Sequence, residues 1–281
     1  MRILDLYTPL RASVGRGYRG YEVYESDEAL HAILPLAMAW RLDQKAIEVW
    51  LQSPEGVRQR GVAESFLAIA PEVVARVEGV FVRELPGILV LMPSFGDFDG
   101  FARYELGEHR VMLGIDFPDS DVDYLKALTA HELSHVFRDH SPAVWAHLGK
   151  PLAEVSRKEY LDATSAQEHL ASEGLATLFS QAVFPEIPPH VHHFYEPEEW
   201  EWCLKNEPII EAALLACLAD DEDVWSFYGE SRVARGSPSR TQYYWAARKL
   251  AKELGDKQKM VDLVRMHSRS AQDFRAFRRP N

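Results

Sequence analysis

SDVDYLKALTAHELSHVFRD, residues 120–139, is the stretch that decides how the chain around it is organised. Its apolar residues recur at intervals of three and four, which predicts an amphipathic α-helix that begins at Ser120 as N-cap. His131 and His135 are four residues apart, so they lie on one face of this helix, one turn from each other. Residues 139–142 are expected to end the helix.

The same stretch contains the pattern HExxH, with Glu132 directly after the first histidine. Two imidazoles one turn apart can reach a single Zn²⁺ at about 2.0–2.1 Å. Glu132 then lies beside the metal, where its carboxylate can take a proton from water as the water attacks a carbonyl. The alternative is that His131 and His135 are two core histidines bonded to neighbours. The position of Glu132 favours the metal site.

A catalytic zinc requires three protein ligands and one open position. The longer pattern HExxHxxGxxH is absent, because Arg138 stands at its glycine position and Ser141 at its last histidine position. His140 is one residue out of register with that pattern. The third ligand is therefore expected further along the chain.

A second helix, predicted for residues 165–184, carries the candidate third ligand, Glu173. Glu173 lies among small and apolar residues beside Gly174, and a glycine allows two helices to approach closely. A carboxylate in such surroundings favours a cation, and the alternative is that Glu173 is a solvated surface residue. Glu168 and His169 are the alternatives on the same helix.

The elements predicted in the rest of the chain place it in the α+β class, because strands come early in the sequence and helices come late. A small antiparallel sheet is expected from strands at 87–92, 101–106 and 110–115. The remaining predicted helices cover 26–50, 64–77, 198–218, 241–254 and 257–267. We expect a mainly helical N-terminal region at 1–86 and a second domain at 87–281, with a lobe break near 185–197.

The bulk composition narrows the classes of partner and compartment. The 281 residues carry a formal net charge of −12, which argues against nucleic acid or an anionic membrane as the main partner. No stretch is apolar enough to span a membrane. Neither Cys203 nor Cys217 belongs to a CxxC pair, which is typical of a reducing compartment, so a cytoplasmic location is expected.

Together, HExxH and the later segment Glu173-Gly174-Leu175-Ala176 resemble the gluzincin metallopeptidases, the thermolysin-like class. The chain is most similar to the bacterial predicted Zn-dependent proteases of the peptidase MA superfamily, over roughly residues 87–254. The resemblance implies a zincin-like domain that binds one zinc ion through His131, His135 and Glu173. It also implies hydrolysis of peptide bonds in a peptide or protein substrate, with Glu132 as general base.

A third similarity lies in residues 241–248, TQYYWAAR, which resemble the late helix of that family. By this match Tyr243 would stabilise the oxyanion of the tetrahedral intermediate, with Tyr244 as its rival. The chain departs from the family pattern by having Ala246 in place of glycine and Ala247 in place of tyrosine. The alternative for these aromatic residues is a packing cluster.

Two further expectations follow from the resemblance. Thr177 stands where the thermolysin class has an aspartate that orients a zinc-binding histidine, so its hydroxyl, or Asp139 or Asp162, is expected in that role. The strand at 110–115 is the candidate edge strand for pairing with an extended substrate.

Two alternatives to a zinc peptidase remain open at this stage. One is a non-catalytic protein with a structural metal site, in which His140 or His169 would supply a fourth ligand. The other is a zinc hydrolase of non-peptide amides or esters. The histidines at 190, 192 and 193, in a proline-rich segment, are expected to face solvent or to cap helices. The sequence gives no indication of oligomeric state.

Overall fold

The computed structural model describes residues 1–15, 49, 52–94, 98–105, 108–155, 159, 162, 164–220, 233–255 and 259–277. The predicted helix at 26–50 lies almost wholly outside these residues. The described part contains both helices and a sheet, which confirms the α+β class. The domain division at residue 86 and the lobe break stay predictions.

The strands are β1 (Arg2–Asp5), β2 (Ile88–Met92), β3 (Gly100–Glu105) and β4 (Glu108–Gly114). The α-helices are α1 (Tyr7–Gly15), α2 (Pro54–Phe81), α3 (Val122–Asp139), α4 (Ala166–Val183), α5 (Pro197–Lys205), α6 (Glu207–Asp220), α7 (Thr241–Leu254) and α8 (Met260–His267). Short 3₁₀ turns lie at Ala146–Leu148, Leu152–Glu154, Val191–His193, Ala271–Asp273 and Arg275–Phe277.

The sheet has the order β1-β2-β4-β3 and is mixed. Only β3 and β4 pair antiparallel, whereas β2 runs parallel to both β1 and β4. The expectation of an antiparallel sheet was therefore wrong for two of the three pairings. One of these pairings involves β1, whose partner is more than 80 residues away and which shows no local signal for it. The other arises because β4 lies between β2 and β3, so β2 pairs with β4 and not with the strand that follows it in sequence. Every residue of β2 is buried, as expected for a strand with neighbours on both sides.

The position of β4 corrects the predicted edge strand. The strand predicted at 110–115 corresponds to β4, which lies between β2 and β3 and has no free edge. Helix α3 packs against β3, which forms the edge of the sheet on that side. An extended substrate beside α3 would therefore pair with β3 rather than with β4.

Capping residues set the start of the two central helices. Asp121, not Ser120, caps α3, because its carboxylate accepts a hydrogen bond from Tyr124 N at 2.8 Å. The Ser120 hydroxyl instead donates to Phe117 O at 2.7 Å. Ser165, the first residue of the predicted second helix, caps α4 by accepting from Glu168 N at 3.1 Å.

The predicted helix at 198–218 is divided into α5 and α6 at Asn206. Pro208 follows two residues later, and it can occupy only the first turn of a new helix, since it lacks an N–H. The amide of Asn206 bonds back to Trp202 O at 3.0 Å and closes α5.

A buried arginine connects α3 to the C-terminal segment. Arg138 is 1% exposed, and its guanidinium donates to the carboxylate of Glu168 at 2.7 Å and to the backbone oxygens of His267 and Arg269 at 3.1 and 3.0 Å. Glu168 also accepts from Ala271 N at 3.1 Å. These bonds account for Arg138 at the position where the longer zinc pattern has glycine.

None of the helices in the described part combines the length and apolarity that a bilayer crossing requires.

Helices α4 and α7 touch at Gly174. A Cβ built there would lie 2.8 Å from the backbone carbon of Ala246 and 2.9 Å from a methyl of Leu250. This contact confirms the expected close approach of a helix at Gly174. It also explains the small residue at 246, whose own Cβ would lie 2.9 Å from the added carbon.

We expect Gly174→Val to lower the free energy of unfolding by roughly 1–3 kcal/mol, since the added carbons overpack a closed contact. Denaturant unfolding would measure the change. The matched control is Gly61→Val in α2, where an added Cβ meets nothing within 4 Å. That variant should stay within about 0.5 kcal/mol of wild type. Equal losses in both variants would contradict the packing argument.

Two buried histidines contradict the sequence-based expectation. His192 and His193 are 1% and 3% exposed, so the expectation that they face solvent was wrong. His192 bonds to the Ser180 hydroxyl, and His193 stacks on Tyr195. Burial lowers the pKa of His192 to about 4 and that of His193 to about 3. Burial likewise lowers the pKa of His267, which lies among three phenylalanine rings, to about 3.

A histidine that stays neutral when folded takes up a proton near pH 6.5 once unfolded, so acid favours the unfolded chain. Stability should be full above pH 6.5 and fall toward pH 4, by about 2 kcal/mol per histidine over the first 1.5 pH units below 6.5. In His267→Asn, the slope of the unfolding free energy against pH, measured below pH 6.5, should be smaller by the contribution of about one titrating proton. Parallel pH profiles of wild type and variant would contradict this assignment.

Candidate metal centre

His131 and His135 project from α3 toward α4 with their rings at right angles. The ring centroids are 4.8 Å apart and the interplanar angle is 77°. His131 is 3% exposed, and the His135 side chain is 15% exposed. Two imidazoles in this relation can present one nitrogen each to a common point.

Glu173 of α4 completes the group. Its two carboxylate oxygens lie 3.0 Å from His131 Nε2 and 3.6 Å from His135 Nε2. One donor atom from each of the three residues falls within 4.8 Å of the others. Ligand atoms on a tetrahedral zinc, each about 2.0–2.1 Å from the ion, are about 3.3 Å apart. The donor set and its spacing therefore fit one zinc ion.

The charges in this cluster favour a cation. Burial alone would raise the pKa of Glu173, yet the charge of His135 and hydrogen bonds from both histidines hold that pKa well below its usual range. Burial disfavours the charged form of His135, but the carboxylates of Glu173 and Glu132 outweigh it and raise its pKa to about 9. A divalent ion could take the place of this proton.

Glu132 lies beside the cluster and is not one of the three grouped ligands. It is 7% exposed, and burial, with the charges of Glu173 and Asp99, raises its pKa to about 8. The charge of His135 and a hydrogen bond from the backbone N–H of Ala102 favour its ionised form. Since Ala102 belongs to β3, this bond also places the sheet edge against the metal helix.

Ser172, which the sequence reasoning missed, orients His135. Its hydroxyl lies 2.8 Å from His135 Nδ1. When Nδ1–H donates to this oxygen, Nε2 keeps its lone pair for a metal. The one feature of the sequence that could have pointed to Ser172 was its position directly before Glu173.

The residues expected in that orienting role have other partners or positions. The Thr177 hydroxyl donates to Glu173 O within its own helix at 3.0 Å. Asp139 lies 2.9 Å from His109 Nε2, and Asp162 is exposed. The orienting role thus belongs to Ser172 and not to these three residues, because α4 directs the Ser172 hydroxyl at His135 and the Thr177 hydroxyl back onto its own backbone.

The alternative ligands are placed differently. Glu168 is engaged by Arg138, and His140 Nε2 lies 2.9 Å from His109 Nδ1. His169, one turn before Glu173, has its Nδ1 3.9 Å from a Glu173 oxygen. Of the proposed alternatives, His169 alone contacts the cluster, and it does so through Glu173.

The two tyrosines of α7 are clearly separated by their surroundings. Tyr244 is fully buried, and its hydroxyl donates to Glu207 at 3.1 Å while its ring lies against Trp200. Tyr243 is half-buried, with its ring edge-on to His169 at 5.7 Å between centroids. Tyr243 is therefore the tyrosine of this pair that lies next to the cluster.

A group of residues that sequence reasoning did not assign packs beside His131. The ring of Phe194 packs 5.3 Å from that of His131 and 5.3 Å from that of Tyr124. The Tyr124 hydroxyl donates to Asp99 Oδ2 at 3.1 Å, and Arg240 Nη1 lies 3.5 Å from the same oxygen. Tyr124 shares a helical face with His131, and that was its one sequence signal.

Comparison of the chain with family profiles, with curated proteins and with solved structures finds no match. The resemblance to the gluzincins therefore rests on the residues themselves, above all HExxH and Glu173.

We expect Ser172→Ala to weaken zinc binding about 10- to 100-fold, because His135 loses the partner that fixes its orientation. Competition with a zinc chelator of known affinity would measure the change. Thr177→Val is the matched control, since that hydroxyl is bonded within its own helix. Its zinc affinity should remain close to wild type. Equal weakening in the two variants would contradict the role of Ser172.

Proposed function

We propose that this protein is a zinc-dependent peptidase. One observation carries the proposal: His131, His135 and Glu173 converge from two helices while Glu132 lies buried beside them outside the ligand group. Three protein ligands, with a further carboxylate beside the metal that does not bind it, are typical of a catalytic zinc site. Structural sites use four protein ligands.

Each residue of the centre has a definite task in this proposal. His131, His135 and Glu173 would hold the ion, which when bound supplies Lewis acidity that activates water and polarises the scissile carbonyl. Glu132 accepts a proton from the attacking water and passes it to the leaving amine. Ser172 fixes the orientation of His135. Tyr243 is the proposed donor to the oxyanion, supported by its place next to the cluster.

The edge strand supports a peptide or protein as substrate. Among the described strands β3 lies at the edge of the sheet, and it packs against α3, the helix that carries Glu132. A peptide extended along this edge can pair with the strand through main-chain hydrogen bonds, which brings a backbone carbonyl past Glu132. This arrangement favours peptides over small esters and non-peptide amides.

A structural metal site is the second candidate, and His169 is the observation that favours it. Its Nδ1 is 3.9 Å from a Glu173 oxygen, so a modest movement would bring a fourth nitrogen toward the ligands. Against this, His169 is not among the residues grouped as ligands. The buried Glu132 would also have no task in a purely structural site.

A cytoplasmic location is also part of the proposal. Its support is the buried free thiol of Cys203, which fits a reducing compartment.

We expect one zinc ion per chain, with peptide cleavage lost on chelation and restored by added zinc. Glu132→Gln should keep the zinc and lose about 10²- to 10⁴-fold in kcat, since the proton acceptor is removed. Glu198→Gln, at an exposed glutamate of α5, is the control and should cleave at the wild-type rate. Metal analysis and cleavage of a diverse peptide library are the measurements.

Two results would contradict the peptidase. One is a protein without stoichiometric zinc after exposure to the metal. The other is a Glu132→Gln variant that cleaves as fast as wild type. A zinc-loaded protein that cleaves nothing, and that unfolds at lower temperature once the metal is removed, would favour the structural site instead.

A further inference from the structure

We propose that Arg240 is a specificity-determining residue that binds a carboxylate of the substrate close to the scissile bond. The inference rests on the proposed function for where the substrate lies. It is carried by four features of Arg240: its place beside the metal centre, its weak pairing with Asp99, its exposure and its backbone conformation.

Contacts place Arg240 at the start of the edge strand. Its Nη1 lies 3.5 Å from Asp99, the residue directly before β3, and Asp99 also bonds Tyr124 of the metal helix. Ala102, whose backbone N–H favours the ionised form of Glu132, is three residues further along β3, or about 10 Å at the rise of a strand, and β3 packs against α3. A substrate extended along this edge would meet Arg240 within about three residues of the bond beside Glu132.

The pairing of Arg240 with Asp99 leaves the guanidinium available. The contact involves one oxygen at 3.5 Å, whereas Arg138 bonds Glu168 at 2.6 and 2.7 Å. Asp99 has shorter bonds of its own, from Gly100 N at 2.8 Å and from the Tyr124 hydroxyl at 3.1 Å. Asp99 thus positions Arg240 without occupying all the hydrogen-bond donors of its guanidinium.

The Arg240 side chain is 42% exposed, in contrast to the buried Arg138. A guanidinium presents a planar fork of donors that matches both oxygens of a carboxylate. The surrounding carboxylates of Asp99, Glu132 and Glu173 would repel an anionic substrate group. A cation placed at this point would offset that repulsion for the one substrate position that it reaches.

The backbone of Arg240 adopts a left-handed conformation, with φ at 58°. Glycine or asparagine adopts this region at lower cost, so an arginine here implies a use for its side chain. The Tyr195 hydroxyl holds the strained turn by donating to Arg240 O at 3.0 Å. Of the four non-glycine residues with positive φ in the described part, Phe194 packs on His131 and Arg240 contacts Asp99. Strained residues of this kind concentrate at functional sites.

The carboxylate could come from two sources, the C-terminus of the substrate or an acidic side chain. A binding experiment separates them without requiring cleavage. Zinc-loaded Glu132→Gln protein is immobilised and offered hexapeptides randomised at the central positions. The peptides come in three forms: with a free C-terminal carboxylate, with a C-terminal amide, and with an amide plus one internal glutamate. Mass spectrometry measures how much of each form is retained.

We expect one anionic form to be retained at least 10-fold over the neutral amide. Retention of the free carboxylate would indicate an exopeptidase acting near the C-terminus, and retention of the internal glutamate a preference for acidic residues. Adding Arg240→Met should abolish the preference, and Arg240→Lys should keep part of it, since the charge remains but the fork is lost. Arg248→Met is the control, because that side chain bonds Glu207 further along the same helix.

Equal retention of all forms, or retention of none, would overturn the proposal. So would a preference that survives Arg240→Met. These outcomes are distinct from failure of the peptidase itself: an Arg240-dependent preference in a protein that cleaves no peptide would leave this inference standing and remove the proposed function. Thermal unfolding of each variant shows whether a loss of binding reflects a loss of folding.

Discussion

The contact between helices α3 and α4 is the constraint on which the centre depends. Two histidines on one helix can offer two nitrogens, but the third ligand must come from a neighbour held at the correct distance and rotation. Glu173 meets both imidazoles because α4 packs against α3 on one side and against α7 on the other. Gly174 allows the second of these contacts by leaving no side chain between the helices. The candidate metal ligands are therefore positioned by helix packing, not by loops.

Local signals in the sequence were sufficient for the parts of the structure that are encoded locally. Helix α3 has an apolar period, an acidic start and two histidines one turn apart, and α4 has its Ser165 cap. These features depend on residues within a few positions of each other. The class of the fold followed from the order of such segments, so it too was accessible.

Features that depend on distant partners were not accessible in the same way. Residues 2–5 form a strand by pairing with β2, and the sequence around them gives no indication of that partner. His192 and His193 lie in a proline-rich segment typical of a surface loop, yet they pack into the core against residues of other helices. Arg240 comes to the centre through Asp99, 141 positions away in sequence. Such residues have ordinary local surroundings, and only the assembled chain gives them a role.

Arg138 also bears on when the centre can form during synthesis. The metal helix lies in the middle of the chain, but the buried guanidinium at its end bonds backbone oxygens at His267 and Arg269. Its partner Glu168 bonds the amide of Ala271. A nascent chain lacks these partners until residues 129 and 131 positions beyond Arg138 have left the ribosome, so a buried charge in helix α3 stays incompletely paired until then. Synthesis of the two helices that carry the cluster is therefore not sufficient for its full assembly.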